Sequence, residues 1–204
     1  QEIPTVTQNV RIDVTELMAF RKKINNDLGV KYSLNDYVLK ATAKALKNNK
    51  HILVSLDGDQ IIKRAHVNIG MAVALEDGLI VPVIKDADKM SLGEISEAAR
   101  DLAERARTNK LSMDEYKGST FSISNLGMFG VETFNPIINQ PDAGILGVCA
   151  VQDELVMDDA GAITKRQFMR ISFTFDHRLI DGATAAKFEL AIRDLMEHPM
   201  QILL

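Results

Sequence analysis

The sequence predicts a mixed α/β domain in which a sheet, built partly from hairpins, is flanked by helices. Two patterns predict it. Segments of helical periodicity alternate with strand-like segments along all 204 residues. Several neighbouring strand-like segments are joined by turns too short for a crossover helix, which argues against a purely parallel sheet. The length suits one substantial core and is short for two.

The elements follow in order. Asp13-x-x-Glu16 reads as a helix start, with Leu17, Phe20, Ile24 and Leu28 recurring at helical spacing. Ser33-x-x-Asp36 opens a second helix, whose apolar stripe takes in Tyr37, Val38, Ala41, Ala45 and Leu46. Strand-like residues 52–56 and 60–63 flank Asp57-Gly58, a hairpin signal. Residues 67–75 and 79–84 flank Glu76-Asp77-Gly78 in the same way. Ser91-x-x-Glu94 starts a third helix and Ser112-x-x-Glu115 a short fourth. Residues 120–124, 143–151 and 168–175 are further strands, with Asp158-Asp159-Ala160-Gly161 a loop before the last of them. A final helix runs from near Gly182 toward His198, where Pro199 stops it. There is no internal repeat, no low-complexity linker and no Gly-rich phosphate loop.

Composition narrows the function classes. A net charge of −4 gives no electrostatic reason to expect nucleic acid or an anionic membrane as partner. No apolar stretch approaches a membrane span. The single cysteine, Cys149, excludes an intrachain disulfide and a multi-cysteine zinc site. It lies within an apolar run and reads as a buried, inert thiol. The chain opens at Gln1 without the basic and apolar regions of a secretory signal.

The informative segment is Ser172-Phe173-Thr174-Phe175-Asp176-His177-Arg178-Leu179-Ile180-Asp181-Gly182. An alternating strand ends in a polar cluster, then glycine releases the chain into a helix. His177 is thus placed at a strand-to-helix junction, a common position for catalytic side chains. An unperturbed pKa of about 6.5 suits histidine to act as a base near neutrality. Asp181 either orients a ring or holds the turn. On spacing alone, an equally good reading has His177 packing and Asp181 capping the next helix. His51, His66 and His198 lack such a setting.

Asp176-His177-Arg178-Leu179-Ile180-Asp181-Gly182-Ala183 resembles the His-x-x-x-Asp-Gly signature of the dihydrolipoamide acyltransferases. The trimeric chloramphenicol acetyltransferase, a relative in fold, carries a similar one. Three further segments match in order: Gly78-Leu79-Ile80-Val81-Pro82-Val83, Phe121-Ser122-Ile123-Ser124-Asn125-Leu126-Gly127, and Pro136-Ile137-Ile138-Asn139 with Gly144-Ile145-Leu146-Gly147-Val148. The resemblance covers nearly the whole chain, so residues 1–204 are expected to form one catalytic, core-forming domain. It implies that His177 takes the proton of the attacking thiol. It implies that Ser124 donates to the oxyanion, with Asn125 the runner-up and a possible cofactor-binding residue, and that Asp181 holds the site's architecture.

The resemblance further implies coenzyme A as co-substrate, lipoamide carried on a separate lipoyl domain, and no metal. It implies a homotrimer with shared active sites, and trimers assembled into a cubic or dodecahedral core of twenty-four or sixty chains. The apolar ending Met200, Ile202, Leu203 and Leu204 fits such an assembly. The family's 2-oxoacid decarboxylase and dihydrolipoamide dehydrogenase partners would join through lipoyl and subunit-binding domains that this chain lacks. Also missing is the family's first, basic helical segment, which in the related acetyltransferase supplies an arginine to the motif aspartate. The segment from Asn125 to Val131 and the ending after His198 look most like acetyltransferases of pyruvate dehydrogenase complexes. Branched-chain, succinyl and acetoin-derived groups stay open, as do a catalytically silent scaffold and a hydroxylated small-molecule acceptor. The expected location is the cytoplasm of a bacterium or the mitochondrial matrix of a eukaryote.

Overall fold

A computed structural model describes residues 3–158 and 160–204. Asp159, in the expected loop before the last strand, lies outside the described residues. In chain order the elements are β1 (Thr5–Asp13), α1 (Thr15–Leu28), α2 (Leu34–Asn48), β2 (Val54–Asp57), β3 (Gln60–Lys63), β4 (Ile69–Met71), β5 (Val73–Leu75), β6 (Gly78–Ile80), β7 (Val83–Ile84), α3 (Leu92–Arg107), β8 (Phe121–Asn125), β9 (Gly144–Val148), β10 (Gln152–Met157), β11 (Ile163–Asp176), α4 (Gly182–Glu197) and α5 (Met200–Leu203). No helix among the described residues is long and apolar enough to cross a membrane.

The helix starts read from sequence form because their caps are local. Ser33 and Asp36 close a complete capping box at α2, and Ser91 and Glu94 do the same at α3. Ser112 and Glu115 cap a single 3-10 turn over Met113–Tyr116. At α1 the boundary shifts. Asp13 is the last residue of β1, and its carboxylate accepts from the Thr15 backbone N–H and hydroxyl. Leu28 points to solvent rather than to the core. Pro199 does follow the end of α4, but it leads straight into α5, which returns Ile202 to the core at 0% exposure. The apolar tail expected to dock elsewhere is therefore divided: Ile202 packs on its own domain, while Met200, Leu203 and Leu204 face outward.

Seven strands form the main sheet, in the order β1-β11-β9-β8-β4-β7, with β10 beside the first half of β11. The β8–β9 and β4–β8 pairs are parallel and the rest antiparallel. Two small hairpins, β2–β3 and β5–β6, stand apart from it. The expected strand over 67–75 breaks at Ala72, whose N–H donates to Ile123. The one over 79–84 breaks at Pro82, which has no ladder donor. Strands β1 and β10 had no clear sequence signal, since β1 is largely polar (Thr5, Gln8, Asn9, Arg11). It is held instead by nine paired residues along β11.

Helix α4 packs on the sheet face carrying Phe121, Phe173 and Phe175. Phe188 meets Phe121 and Phe173 edge-on at 5.5 and 5.2 Å, a favoured aromatic geometry. Along β8, alternation sends Phe121 and Ile123 into this core and Ser122 and Ser124 to the opposite face. That second face is covered by the chain between β8 and β9. A Cβ on Gly147 would lie 2.8 Å from the Phe134 ring, and Asn139 donates to the Ser122 hydroxyl at 3.3 Å. Gly147 therefore lets the Phe134 ring approach the strand closely.

Candidate active site

The turn carrying His177 is built by its neighbours. Strand β11 ends at Asp176, which is buried, and Arg178 forks back onto its carboxylate at 3.0 and 2.7 Å. The Arg178 backbone N–H donates to the same carboxylate at 3.0 Å. The N–H groups of Leu179 and Ile180 both donate to the Asp176 carbonyl, and the Asp176 N–H donates to the carbonyl of Ala143, just before the neighbouring strand β9. His177 rides on this turn with its N–H donating to Pro4 at 2.9 Å. Its ring lies 5.9 Å from that of Phe175 and is exposed. The Asp176–Arg178 clamp escaped the sequence reading. Its only signal was an acid at a strand end followed two residues later by arginine.

Asp181 is the N-cap of α4. One carboxylate oxygen accepts from the N–H groups of Ala183 and Thr184, both at 2.9 Å, and the other from the Thr184 hydroxyl at 2.8 Å. The Thr184 contacts, backbone first, hold the carboxyl below its usual range. Of the two readings left open for Asp181, holding the turn is the one the geometry displays. Its partners among the described residues belong to its own helix.

Ser124 lies elsewhere, half-buried on β8 in the wall of a cleft of about 850 Å³ between α2, α3 and the end of β8. Beside it, Asn125 donates to the Asn35 side chain at 2.8 Å and accepts from the Gly127 N–H at 2.9 Å. Its amide is thus largely committed to joining the start of α2 to the turn after β8. That turn sits close on the chain: a Cβ on Gly127 would lie 2.8 Å from the Cys149 carbonyl. It displays Met128 and Phe129 at the cleft mouth, 81% and 67% exposed. Cys149 borders the same cleft but is 2% exposed, and burial pushes its thiol up, away from thiolate.

A second carboxyl was also missed. Asp142, just before β9, is 5% exposed and accepts from the hydroxyls of Ser119 and Ser122 at 2.7 and 2.6 Å. Burial outweighs those bonds and pushes it up to about 6. It shares a cavity of about 250 Å³ with Asp176 and Arg178, at the base of the His177 turn.

The sheet register separates the two candidate groups. Ser124 pairs with Gly147, and Gly147 pairs with Ser172. His177 stands five residues further along the β11 line, so at about 3.3 Å per residue and about 4.8 Å per strand the two lie roughly 19 Å apart. Base and oxyanion donor must both reach one carbonyl, the donor to about 3 Å. Within one chain Ser124 and His177 do not meet.

The family model described as 2-oxoacid dehydrogenases acyltransferase (catalytic domain) matches residues 1–204. The chain is 42% identical over 207 residues to the dihydrolipoyllysine-residue acetyltransferase component of the pyruvate dehydrogenase complex of Zymomonas mobilis, covering 100% of this chain and 47% of that protein. It is 40% identical over 197 residues to the dihydrolipoyllysine-residue succinyltransferase component of the 2-oxoglutarate dehydrogenase complex of Rickettsia typhi, covering 95% and 49%. The chain therefore spans about half the length of these curated relatives. Among solved structures, Azotobacter vinelandii dihydrolipoamide acetyltransferase superposes with a TM-score of 0.92 at 39% identity, covering 100% of this chain and 85% of that one. The cubic core of a pyruvate dehydrogenase multienzyme complex matches equally well, with a TM-score of 0.92 at 40% identity and the same coverage. A chloramphenicol acetyltransferase, at 12% identity and a TM-score of 0.60 over 96% of this chain and 89% of that one, shares the fold.

Proposed function

The chain belongs to the family of 2-oxoacid dehydrogenase acyltransferase catalytic domains, and we propose that it moves an acetyl group from S-acetyldihydrolipoamide to coenzyme A. The observation that carries this reading is the clamped turn presenting an exposed His177 beyond a buried strand. A thiol with a pKa near 8.5 is mostly protonated at neutral pH. His177 removes that proton as the coenzyme A sulfur attacks the thioester carbonyl. Ser124 donates to the oxyanion that forms. Collapse of the tetrahedral intermediate expels the dihydrolipoamide sulfur, which takes the proton back from His177. A positioned base is worth about 10²–10⁴-fold, and one oxyanion donor about 10²–10³-fold.

The separation of roughly 19 Å along the sheet supports a site shared between copies, with His177 from one and Ser124 from its neighbour. A homotrimer closes such interfaces in a ring. Similarity to a cubic core supports further assembly of trimers, with lipoyl domains and the other complex subunits recruited by segments outside this chain. For the Azotobacter vinelandii enzyme, a serine, a histidine and an asparagine four residues beyond the histidine have been examined for roles in the catalytic mechanism. Asp181 has that spacing from His177, with a carboxylate in place of the amide. Its capping bonds make it a positioning residue.

Relatives named for acetyl and for succinyl transfer are almost equally similar, so acyl identity rests on the resemblance of the segment from Asn125 to Val131 and of the ending after His198 to acetyltransferases. The deciding test compares kcat/KM for acetyl- and succinyl-dihydrolipoamide. Acetyl is expected to win clearly, and a higher value for succinyl overturns the acyl assignment. His177→Ala is expected to keep fold and particle mass and to lose at least about 100-fold in rate. Trimers refolded from His177→Ala and Ser124→Ala chains are expected to regain activity at interfaces that pair two intact residues. Mixed trimers no more active than their parents refute the shared site.

A further inference from the structure

Asp142 stands between the two candidate groups of the chain, and the proposed reaction leaves it unused. On one side a single carboxylate oxygen, Oδ2, accepts from the Ser119 and Ser122 hydroxyls at 2.7 and 2.6 Å. Ser122 shares its face of β8 with Ser124, two residues further on. On the other side the carbonyl of the next residue, Ala143, accepts from the Asp176 N–H at 2.9 Å, and Asp176 is followed by His177. One short segment thus fixes both the strand that carries Ser124 and the turn that carries His177.

The surroundings are built for these bonds. Strand β4 places Gly70 opposite Ser122, where a Cβ would lie 2.9 Å from both hydroxyls. The second carboxylate oxygen, Oδ1, is buried without a partner among the described residues. The charged groups around Asp142 are Arg64, which attracts it, and Asp176 and Arg178, which share its cavity and clamp each other. Ionisation is costly in this place, since burial pushes the carboxyl up to about 6. An amide of the same shape would accept both hydroxyls without that cost. What the carboxylate adds is strength, because a charged acceptor holds each hydroxyl roughly twice as firmly as a neutral one.

Resting on the acyl-transfer reading above, we propose that Asp142 is a positioning residue for the reaction: as a carboxylate it holds the Ser124 strand and the His177 turn at the spacing that the shared sites need. In such an assembly the His177 and Ser124 of one chain serve different sites. The spacing between them inside the chain therefore sets how both are presented to its neighbours. Misplacement by about 1 Å can cost about 100-fold in rate, so a shift of about half that accounts for about 10-fold. Protonation slackens the two hydroxyl bonds. The contribution is thus present while Asp142 is ionised and is lost as pH falls through about 6.

The test compares kcat for wild type and Asp142→Asn from pH 5 to 8, using acetyl-dihydrolipoamide, coenzyme A and assembled particles of confirmed mass. His177 and every other titrating group are common to both proteins, so the ratio of their rates isolates Asp142. With the carboxyl at about 6, wild type is expected to be about 10-fold faster at pH 8, about five-fold at pH 6 and under about two-fold at pH 5. The KM for each substrate is expected to move less than about two-fold. Ser122→Ala should lower kcat at pH 8 by about three-fold or more, and should cost little further in the Asp142→Asn background, because the two residues act through one bond. A ratio that does not change with pH, or one close to unity at pH 8, overturns the proposal. So do additive losses in the double variant. A loss carried by KM overturns it too, because Asp142 then shapes a binding surface. Wild-type protein that transfers acetyl to coenzyme A at no pH in this range sinks the acyl-transfer reading itself.

Discussion

Glu189 offers the sharpest test of the energetics. It lies on α4 at 0% exposure, and neither carboxylate oxygen makes a hydrogen bond of good geometry. Burial pushes it up to about 7 from an ordinary 4.5, and the backbone of Phe173 offsets only part of this. No neighbouring copy can relieve it, because its own chain already covers it. Below pH 4.5 the carboxyl is neutral in both folded and unfolded states and costs nothing through ionisation. Between 4.5 and 7 the unfolded chain ionises while the folded one keeps its proton, so stability falls as pH rises. Above 7 the loss levels off at about 3 kcal/mol, since each pKa unit is worth about 1.4 kcal/mol. Glu189→Met removes the charge and keeps an unbranched side chain. For a domain of this size, about 3 kcal/mol corresponds to roughly 6–12 °C in Tm. Melting curves at fixed protomer concentration from pH 4.5 to 8.5 should show the variant gaining that much at the alkaline end. The gain should shrink at the acid end to the small constant contributed by the thioether. A difference independent of pH, or a variant less stable than wild type at pH 8, refutes the argument.

Asp142→Asn should flatten a similar decline: burial raises this carboxyl to about 6, so wild type loses stability as pH climbs from about 4 to 6, and melts across that window will show whether the variant does not. Asp181→Ala should cost about 1 kcal/mol as a lost N-cap and slow acetyl transfer by about 10-fold or more, whereas Asp181→Asn should restore both; equal rates for wild type and the alanine variant count against a positioning role. Ile202→Ala should cost about 2–4 kcal/mol in denaturant melts because Ile202 is core. Deleting Leu203 and Leu204 should leave the melt unchanged while light scattering reports smaller particles, and unchanged particle mass would show that the outward tail does not join trimers.

Local chemistry was legible in the sequence and tertiary chemistry was not. The caps at Ser33, Ser91 and Ser112 are decided by residues three apart, so they could be read directly. The His177 turn was legible for the same reason. Strand β1 was invisible because its pairing lies with residues more than 150 positions away and its own pattern is polar. Asp142 escaped because its partners come from β8 and the segment before it, and nothing nearby marks it as buried. Glu189 sits between Phe188 and Leu190 like any polar helix position, and only the packing of α4 on the sheet shows that it is enclosed. Asn125 was placed correctly beside Ser124, yet its commitment to Asn35 depends on where α2 begins in space.

The register that sets Ser124 and His177 at distant points of one sheet has a genetic consequence. Under the proposed shared site, the unit that is inherited is one chain, while the unit that works would be a junction between two. An allele that damages only His177 would then spoil the junction to which that chain brings its histidine, and leave intact the junction to which it brings its serine. Two different defective alleles in one cell would then rescue each other in part. A diluted or newly made chain would stay silent until it found company.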